Sequence, residues 1–342
     1  MRAFITGVSG PALTDAEREF LRDAQPWGLI IFKRNVANPD ALHALVDDAR
    51  SVLGRAAPVL VDQEGGRVQR LGPPHWPKYP PAAAYGRLYD ANRTEGLAAA
   101  WLGARLIAAD LAAVGIDVDC MPLADVPVAG ADAVIGDRAF GAEPEKVSAL
   151  AAAFAGGLQD GGVLPVVKHL PGHGRATADS HQKLPVVTAA KTTLEATDFA
   201  AFRPLAGLPL AMTAHVVFTA LDQTAPATTS PVIVREVIRS SIGFQGLLMS
   251  DDLSMGALSG SLGERTLAAL AAGCDMALHC NGSMDEMRAV AEAAPVLAGG
   301  AAHRAEAALA RRKPAGEIDL AASRTEFAQR LSAVWEPARG LA

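Results

Sequence analysis

The chain lacks most of the features that would take it out of the class of ordinary globular enzymes. Its three cysteines, Cys120, Cys274 and Cys280, are odd in number and show no CxxC spacing. A disulfide framework is therefore not expected, and buried reduced thiols are. No basic stripe is present: acids and bases are interspersed and the net charge is −6, which argues against nucleic acid or an anionic membrane as partner. No run approaches the roughly 18 apolar residues needed to cross a bilayer. The first segment, "MRAFITGVSGPALTDAEREF", has no apolar core of signal-peptide length followed by small residues. A cytoplasmic location is the resulting expectation. No Pro/Gly/Ser-rich linker divides the chain, and no GxGxxG follows the first apolar segment, which disfavours a doubly wound dinucleotide fold.

Against these absences stands a regular alternation. Eight apolar, β-rich segments recur: 3–6, 28–32, 58–62, 116–126, 162–169, 210–218, 246–253 and 274–280. Most are near-continuous apolar runs, as parallel strands covered on both faces require. Helical patterns lie between them. Thr14 with Glu17 three residues on is a capping-box pattern. The segment 38–54 places Leu42, Leu45 and Val46 on one face and closes on Gly54, 92–115 again closes on glycine, and 230–243 opens on Ser230 and Pro231. The segment 190–206 carries the weakest helical pattern. Eight strands alternating with helices predict an α/β protein, a single-domain (β/α)8 TIM barrel. We expect the catalytic barrel over 1–300 and a helical extension packed on it over 301–342.

In such a barrel the site is built where strands end. Asp62, Lys168, His169, His215 and Asp251 all close apolar segments, and Arg138 follows the fourth. The stretch "KHLPGHGRATADSH" concentrates His169, His173 and His181, from a chain with only eight histidines. Three readings compete: a metal site, solvated loop histidines, and proton transfer. Pro171 and Gly172 break the helix that an i, i+4 metal pair would use. A solvated loop position accounts for His173, as for His43, His75 and His303. Asp179 and His181, two apart, could form a carboxylate–imidazole pair able to act as acid and base near neutral pH. In "MSDDL" only one of two successive aspartates can face the barrel mouth squarely; Asp251 suits a nucleophile, and Asp252 suits a helix cap or ion-pair partner.

The motifs "DQEGGRVQRL" (62–71), "IGDRAFG" (135–141), "KHLPGHGRATADSH" (168–181) and "MSDDLSMGAL" (249–258) together resemble the glycoside hydrolases of family 3. Within that family the likeness is to the single-domain bacterial β-N-acetylglucosaminidases of peptidoglycan recycling. The resemblance implies removal of non-reducing terminal β-linked GlcNAc from fragments such as GlcNAc-1,6-anhydroMurNAc, with or without peptide. It implies a nucleophile at Asp251, an acid/base at His181 and a dyad partner at Asp179. Sugar binding falls on Asp62, Arg70, Arg138, Lys168 and His169, with Arg67 close to Arg70. Leu170 stands where the family pattern carries phenylalanine, which removes a ring but no titratable group. No metal or other cofactor is expected, the partner is a small carbohydrate, and a monomer is anticipated. A family 3 β-glucosidase, a glycoside phosphorylase, and a non-catalytic sugar-binding barrel are the alternatives.

Overall fold

A computed structural model describes residues 1–336, so the last six residues of the expected extension lie outside the described residues. Eight parallel strands form one closed barrel: β1 (Arg2–Thr6), β2 (Pro26–Ile31), β3 (Val59–Val61), β4 (Val118–Asp119), β5 (Leu164–Leu170), β6 (Leu210–Thr213), β7 (Leu247–Asp252) and β8 (Met276–His279). The register runs Ile30 opposite Leu60, Leu60 opposite Val118, and Val118 opposite Leu164; Ile5 against Leu278 closes the ring.

The apolar runs are explained by which way each side chain points. Alternate residues face the lumen and the helices. Ile5, Leu60, Val166, Met249 and Leu278 pack inside the barrel, whereas Phe4, Val61, Val167, Leu248 and Ala277 pack outward against helices. Because both faces are covered, a strand here has no polar side. The same parity runs to the C-terminal ends of the strands. Asp62 follows Leu60 by two, Lys168 follows Val166 by two, and Asp251 follows Met249 by two, so all three emerge on the lumen side at the mouth.

Helix starts follow the capping chemistry. Thr14 Oγ1 accepts from the Glu17 N–H and the Glu17 carboxylate accepts from the Thr14 N–H. Asn38 caps Pro39–Leu53, which ends on Gly54 at φ 66°. Three details differ from the sequence reading. The fourth strand is only two residues long and stops where Asp119 pairs with Pro165, which has no N–H to give the ladder. The chain continues irregularly beside β5 instead, with the Ala124 N–H donating to Lys168 O at 2.8 Å. The segment Ile233–Ile242 is wound as a π-helix, although Ser230 Oγ does accept from the Ile233 N–H. Finally, 190–206 breaks into Lys191–Ala196, Asp198–Phe202 and a 3₁₀ turn at Arg203–Leu205.

Two late helices pack on the barrel. Gly299–Leu309 sets Ala305 and Ala308 beneath the lumen. Leu320–Leu331 places Phe327 against Tyr79 and Tyr85, with ring centroids 6.2 and 6.3 Å apart. Gly103 makes room for that ring, since a Cβ there would approach it within 2.8 Å. Among the described residues no helix is long and apolar enough to cross a membrane.

Candidate active site

The mouth at the C-terminal ends of the strands holds a cavity of about 260 Å³ whose walls include Asp62, Arg70, Arg138, Lys168, His169, Asp179, His181 and Asp251. Side chains separated by up to 189 residues therefore meet in one place. Arg67 lines the rim as well. Arg70, not Arg67, donates to Asp62 (3.0 Å), and it lies 4.9 Å over the Phe32 ring; Arg67 holds Asp137 and the carbonyls of 133–135.

One wall is a buried ionic cluster. Lys168, only 2% exposed, donates to Asp62 at 2.8 Å and pairs with Glu64 at 2.6 Å. Arg138 grips Glu64 with two N–H donors, both at 2.8 Å. Burial alone would raise both carboxyl groups. The Lys168 ammonium, with Arg70 on Asp62 and Arg138 on Glu64, outweighs it and holds each below its ordinary range. Burial likewise disfavours the Lys168 ammonium, but Asp62 and Glu64 push its pKa up. Every member stays charged, and each fixes the others in place.

A second buried group hangs from Asp125. Its Oδ2 lies 2.7 Å from His169 Nδ1 and its Oδ1 accepts from the His173 N–H at 2.6 Å. Burial would raise Asp125; His169 outweighs it and keeps the carboxylate ionised. His173 is the clearest departure from the sequence reading. It is 3% exposed, not a solvated loop residue, and its Nε2 meets Ser180 Oγ at 3.1 Å. Burial, reinforced by His169, lowers its pKa to about 4.

The two aspartates of β7 have separate tasks. Asp252 faces away from the lumen. Its Oδ1 accepts from the Ser254 and Cys280 N–H groups at 3.0 and 3.1 Å, and its Oδ2 from Ser254 Oγ at 2.7 Å. It thus ties the ends of β7 and β8 together, and among the described residues it caps no helix and pairs with no cation. Asp251 accepts one N–H, from Asp252, at 2.8 Å on Oδ1, and presents the carboxylate to the cavity. Burial would raise its pKa, but His215, His169, that N–H and Lys168 outweigh it and hold the group ionised. His215 is itself buried and neutral-leaning, braced by Thr228 Oγ1 at 2.7 Å and the Asp252 carbonyl at 3.0 Å.

Opposite stands the loop after β5. His181 Nδ1 lies 2.8 Å from Asp179 Oδ1, and the His181 N–H donates to the same oxygen at 2.9 Å. These contacts hold Asp179 below its ordinary pKa despite slight burial. A carboxylate at Nδ1 assigns the proton there, which leaves Nε2 of a 65% exposed ring that lines the cavity without a hydrogen-bond partner among the described residues. The mouth thus combines a fixed charged wall, an ionised carboxylate and an oriented imidazole. That set can bind a polyhydroxylated ligand and carry out nucleophilic and acid–base steps. Among the described residues no cluster of three or more His, Cys, Asp or Glu side chains is placed to hold a metal ion.

Glu64 and Asp125 are the functional residues that sequence reasoning missed. Each carried a signal: Glu64 is two residues past Asp62 on the same parity, and Asp125 is the last acid of the fourth apolar segment.

Comparison with known proteins places this geometry. Residues 5–311 match the family described as "Glycosyl hydrolase family 3 N terminal domain". The chain is 43% identical over 276 residues to a Methylococcus capsulatus protein named Beta-hexosaminidase, covering 80% of each chain. An Alkalilimnicola ehrlichii protein of the same name is 40% identical over 279 residues, covering 80% of this chain and 79% of its own length. Among solved structures, native NagZ from Neisseria gonorrhoeae superposes with a TM-score of 0.83 at 32% identity, over 97% of this chain and 96% of that one. The same NagZ has been solved in complex with N-trifluoroacetyl-D-glucosamine, with equal similarity.

Proposed function

Since the chain belongs to glycosyl hydrolase family 3 and is a β-N-acetylhexosaminidase of the NagZ type, we propose that it releases non-reducing terminal β-linked GlcNAc from peptidoglycan fragments. The fragments are GlcNAc-1,6-anhydroMurNAc and its peptide-bearing forms, and the enzyme acts as a cytoplasmic monomer. The observation that carries the reading is the pairing across one cavity of an ionised carboxylate, Asp251, with an imidazole oriented by Asp179, His181. The named relatives, and the N-acylated glucosamine bound by the gonococcal protein, support a GlcNAc-type sugar.

In this reading Asp251 attacks the anomeric carbon as the C1–O bond to the aglycone breaks. His181, as imidazolium, gives its Nε2 proton to the departing oxygen. The covalent glycosyl-aspartate is then opened by water, whose proton returns to His181, so configuration at C1 is retained. Asp179 orients the ring and favours its charged form. Asp62 accepts from sugar hydroxyls, while Arg70, Arg138, Lys168 and His169 donate to hydroxyls and the acetamide. Donors already fixed by Glu64 and Asp125 need no reorganisation as charge develops. Two side chains supply the chemistry, and no metal or cofactor enters it.

The test is hydrolysis of GlcNAc-1,6-anhydroMurNAc followed by proton NMR, with a 5-fluoro glycosyl fluoride used in parallel to trap the intermediate. The first hexosamine should appear as the β-anomer, and peptide mapping should find the label on Asp251. An α-anomer, or a label on another side chain, overturns the mechanism. Hydrolysis of p-nitrophenyl β-glucoside in preference to the GlcNAc glycoside overturns the sugar assignment.

A further inference from the structure

Between Asp179 and His181 lies a residue with the opposite environment. Ser180 is 3% exposed, whereas the His181 side chain beside it is 65% exposed. Its Oγ meets His173 Nε2 at 3.1 Å, and its carbonyl accepts the Ala257 N–H at 3.1 Å. The next carbonyl, of His181, accepts the Gly256 N–H at 3.2 Å. Gly256 and Ala257 belong to the segment that leaves β7 directly after Asp251 and Asp252. The loop bearing the imidazole and the strand bearing the carboxylate are thus joined by two main-chain hydrogen bonds. From below, the loop is held through His173 to Asp125, which also holds His169.

Gly256 is where the approach is tightest. A Cβ there would lie 2.9 Å from both the His181 and the Gln182 carbonyl oxygens. Any side chain would have to push the loop away from β7. Ala176 and Ala178 bury the stretch that leads up to the pair, and beyond Asp179 these contacts are the ones that tie the loop to the β7 segment.

We infer that Ser180 is a positioning residue: clamped between His173 and the Gly256–Ala257 backbone, it holds the Asp179–His181 pair in register with Asp251. This inference rests on the reading of His181 as acid and base. It adds the residue that places that group and the glycine that permits the placement. Neither Ser180 nor Gly256 exchanges a proton or an electron pair in the reaction.

The consequence is specific to one step. Displacing His181 by about an ångström removes proton delivery but leaves the sugar cradle and Asp251 untouched, and misplacement of that size can cost on the order of a hundredfold. The experiment compares Ser180→Ala, Gly256→Ala and His181→Ala on two substrates. One is methyl β-GlcNAc, whose alkoxide leaves only when protonated. The other is 2,4-dinitrophenyl β-GlcNAc, whose phenolate leaves unaided. Ser180→Ala and Gly256→Ala should each lose about tenfold or more in kcat on the methyl glycoside. On the aryl glycoside the first step, read as kcat/KM and as the burst of dinitrophenolate, should change by less than about twofold, with any loss of kcat confined to the second step and matched by a fall in KM. In the His181→Ala background, Ser180→Ala should add nothing, because a residue acting through another has no effect once that other is gone.

Equal losses on both substrates, or an additive double mutant, would overturn the positioning role. A retained first step on the aryl glycoside certifies that a variant is folded, and Gly256→Ala stands in should Ser180→Ala not fold. If His181→Ala itself shows no dependence on the leaving group, the acid–base reading fails first. If His181→Ala shows that dependence and neither Ser180→Ala nor Gly256→Ala does, only the present inference fails.

Discussion

Stability should depend on pH through His173, and His173→Gln isolates the effect. In the folded chain the imidazole is buried and its pKa lies at about 4, against an ordinary value of 6.5. Between those two values the unfolded chain binds a proton that the folded chain refuses. Stability therefore falls as pH drops through this window, at up to about 1.4 kcal/mol per unit, or roughly 3 kcal/mol in all. Above pH 6.5 the group is neutral in both states and contributes no slope. Glutamine at this position keeps a polar group near Ser180 and cannot titrate. The variant should be less stable than the parent at pH 7.5, because a buried, packed ring that meets Ser180 is lost, while the main-chain N–H on Asp125 is kept. That gap should narrow by about 3 kcal/mol as pH falls towards 4. Titrations common to both chains, including the buried His215, cancel in the difference. Urea unfolding followed by far-ultraviolet circular dichroism at four pH values between 7.5 and 4.5 measures it. A gap that stays constant within about 1 kcal/mol would refute the reasoning, because a solvated loop histidine gives that result.

Other substitutions separate binding, chemistry and support. Glu64→Gln leaves Arg138 and Lys168 buried with less compensation, so unfolding should cost about 3 kcal/mol less and KM should rise; a loss under about 1 kcal/mol would show the wall to be loosely coupled. Asp252→Ala removes three accepted hydrogen bonds at the β7–β8 junction and should lower stability by about 2–3 kcal/mol, with turnover reduced but measurable. Asp251→Ala should keep its melting temperature and its affinity for GlcNAc while turnover disappears, so identical behaviour of the two variants would contradict their separate roles. Phe32→Ala withdraws the ring beneath Arg70 and should raise KM a few-fold, in line with about 0.5–1 kcal/mol for the contact; isothermal titration with GlcNAc decides it.

Much of this protein was legible in order along the chain. The apolar runs marked all eight strands because parallel strands in a closed barrel are covered on both faces. Their ends marked Asp62, Lys168, His169 and Asp251, and the two-residue alternation separated Asp251 from Asp252 before any coordinates. Thr14 and Ser230 were readable as caps because capping is a matter of three or four residues. What was not legible involves partners far apart. Glu64 matters through Arg138, 74 residues away, and Asp125 through His169, 44 residues away. His173 looked like a solvated loop residue, yet it is buried with its N–H on Asp125 and its ring against Ser180 and His169.

By itself the sequence determined the barrel, its alternation of inward and outward faces, and most of the acidic and basic groups at the mouth, Glu64 and Asp125 excepted. Local propensity and alternation are short-range properties, and a single chain displays them. Only the tertiary structure decided which charges pair, which histidine is neutral, and how Ser180 joins the His181 loop to the strand of Asp251. Those outcomes depend on burial and on hydrogen bonds between segments that meet after folding, where a low-dielectric surrounding makes an unpaired charge costly and a paired one permanent.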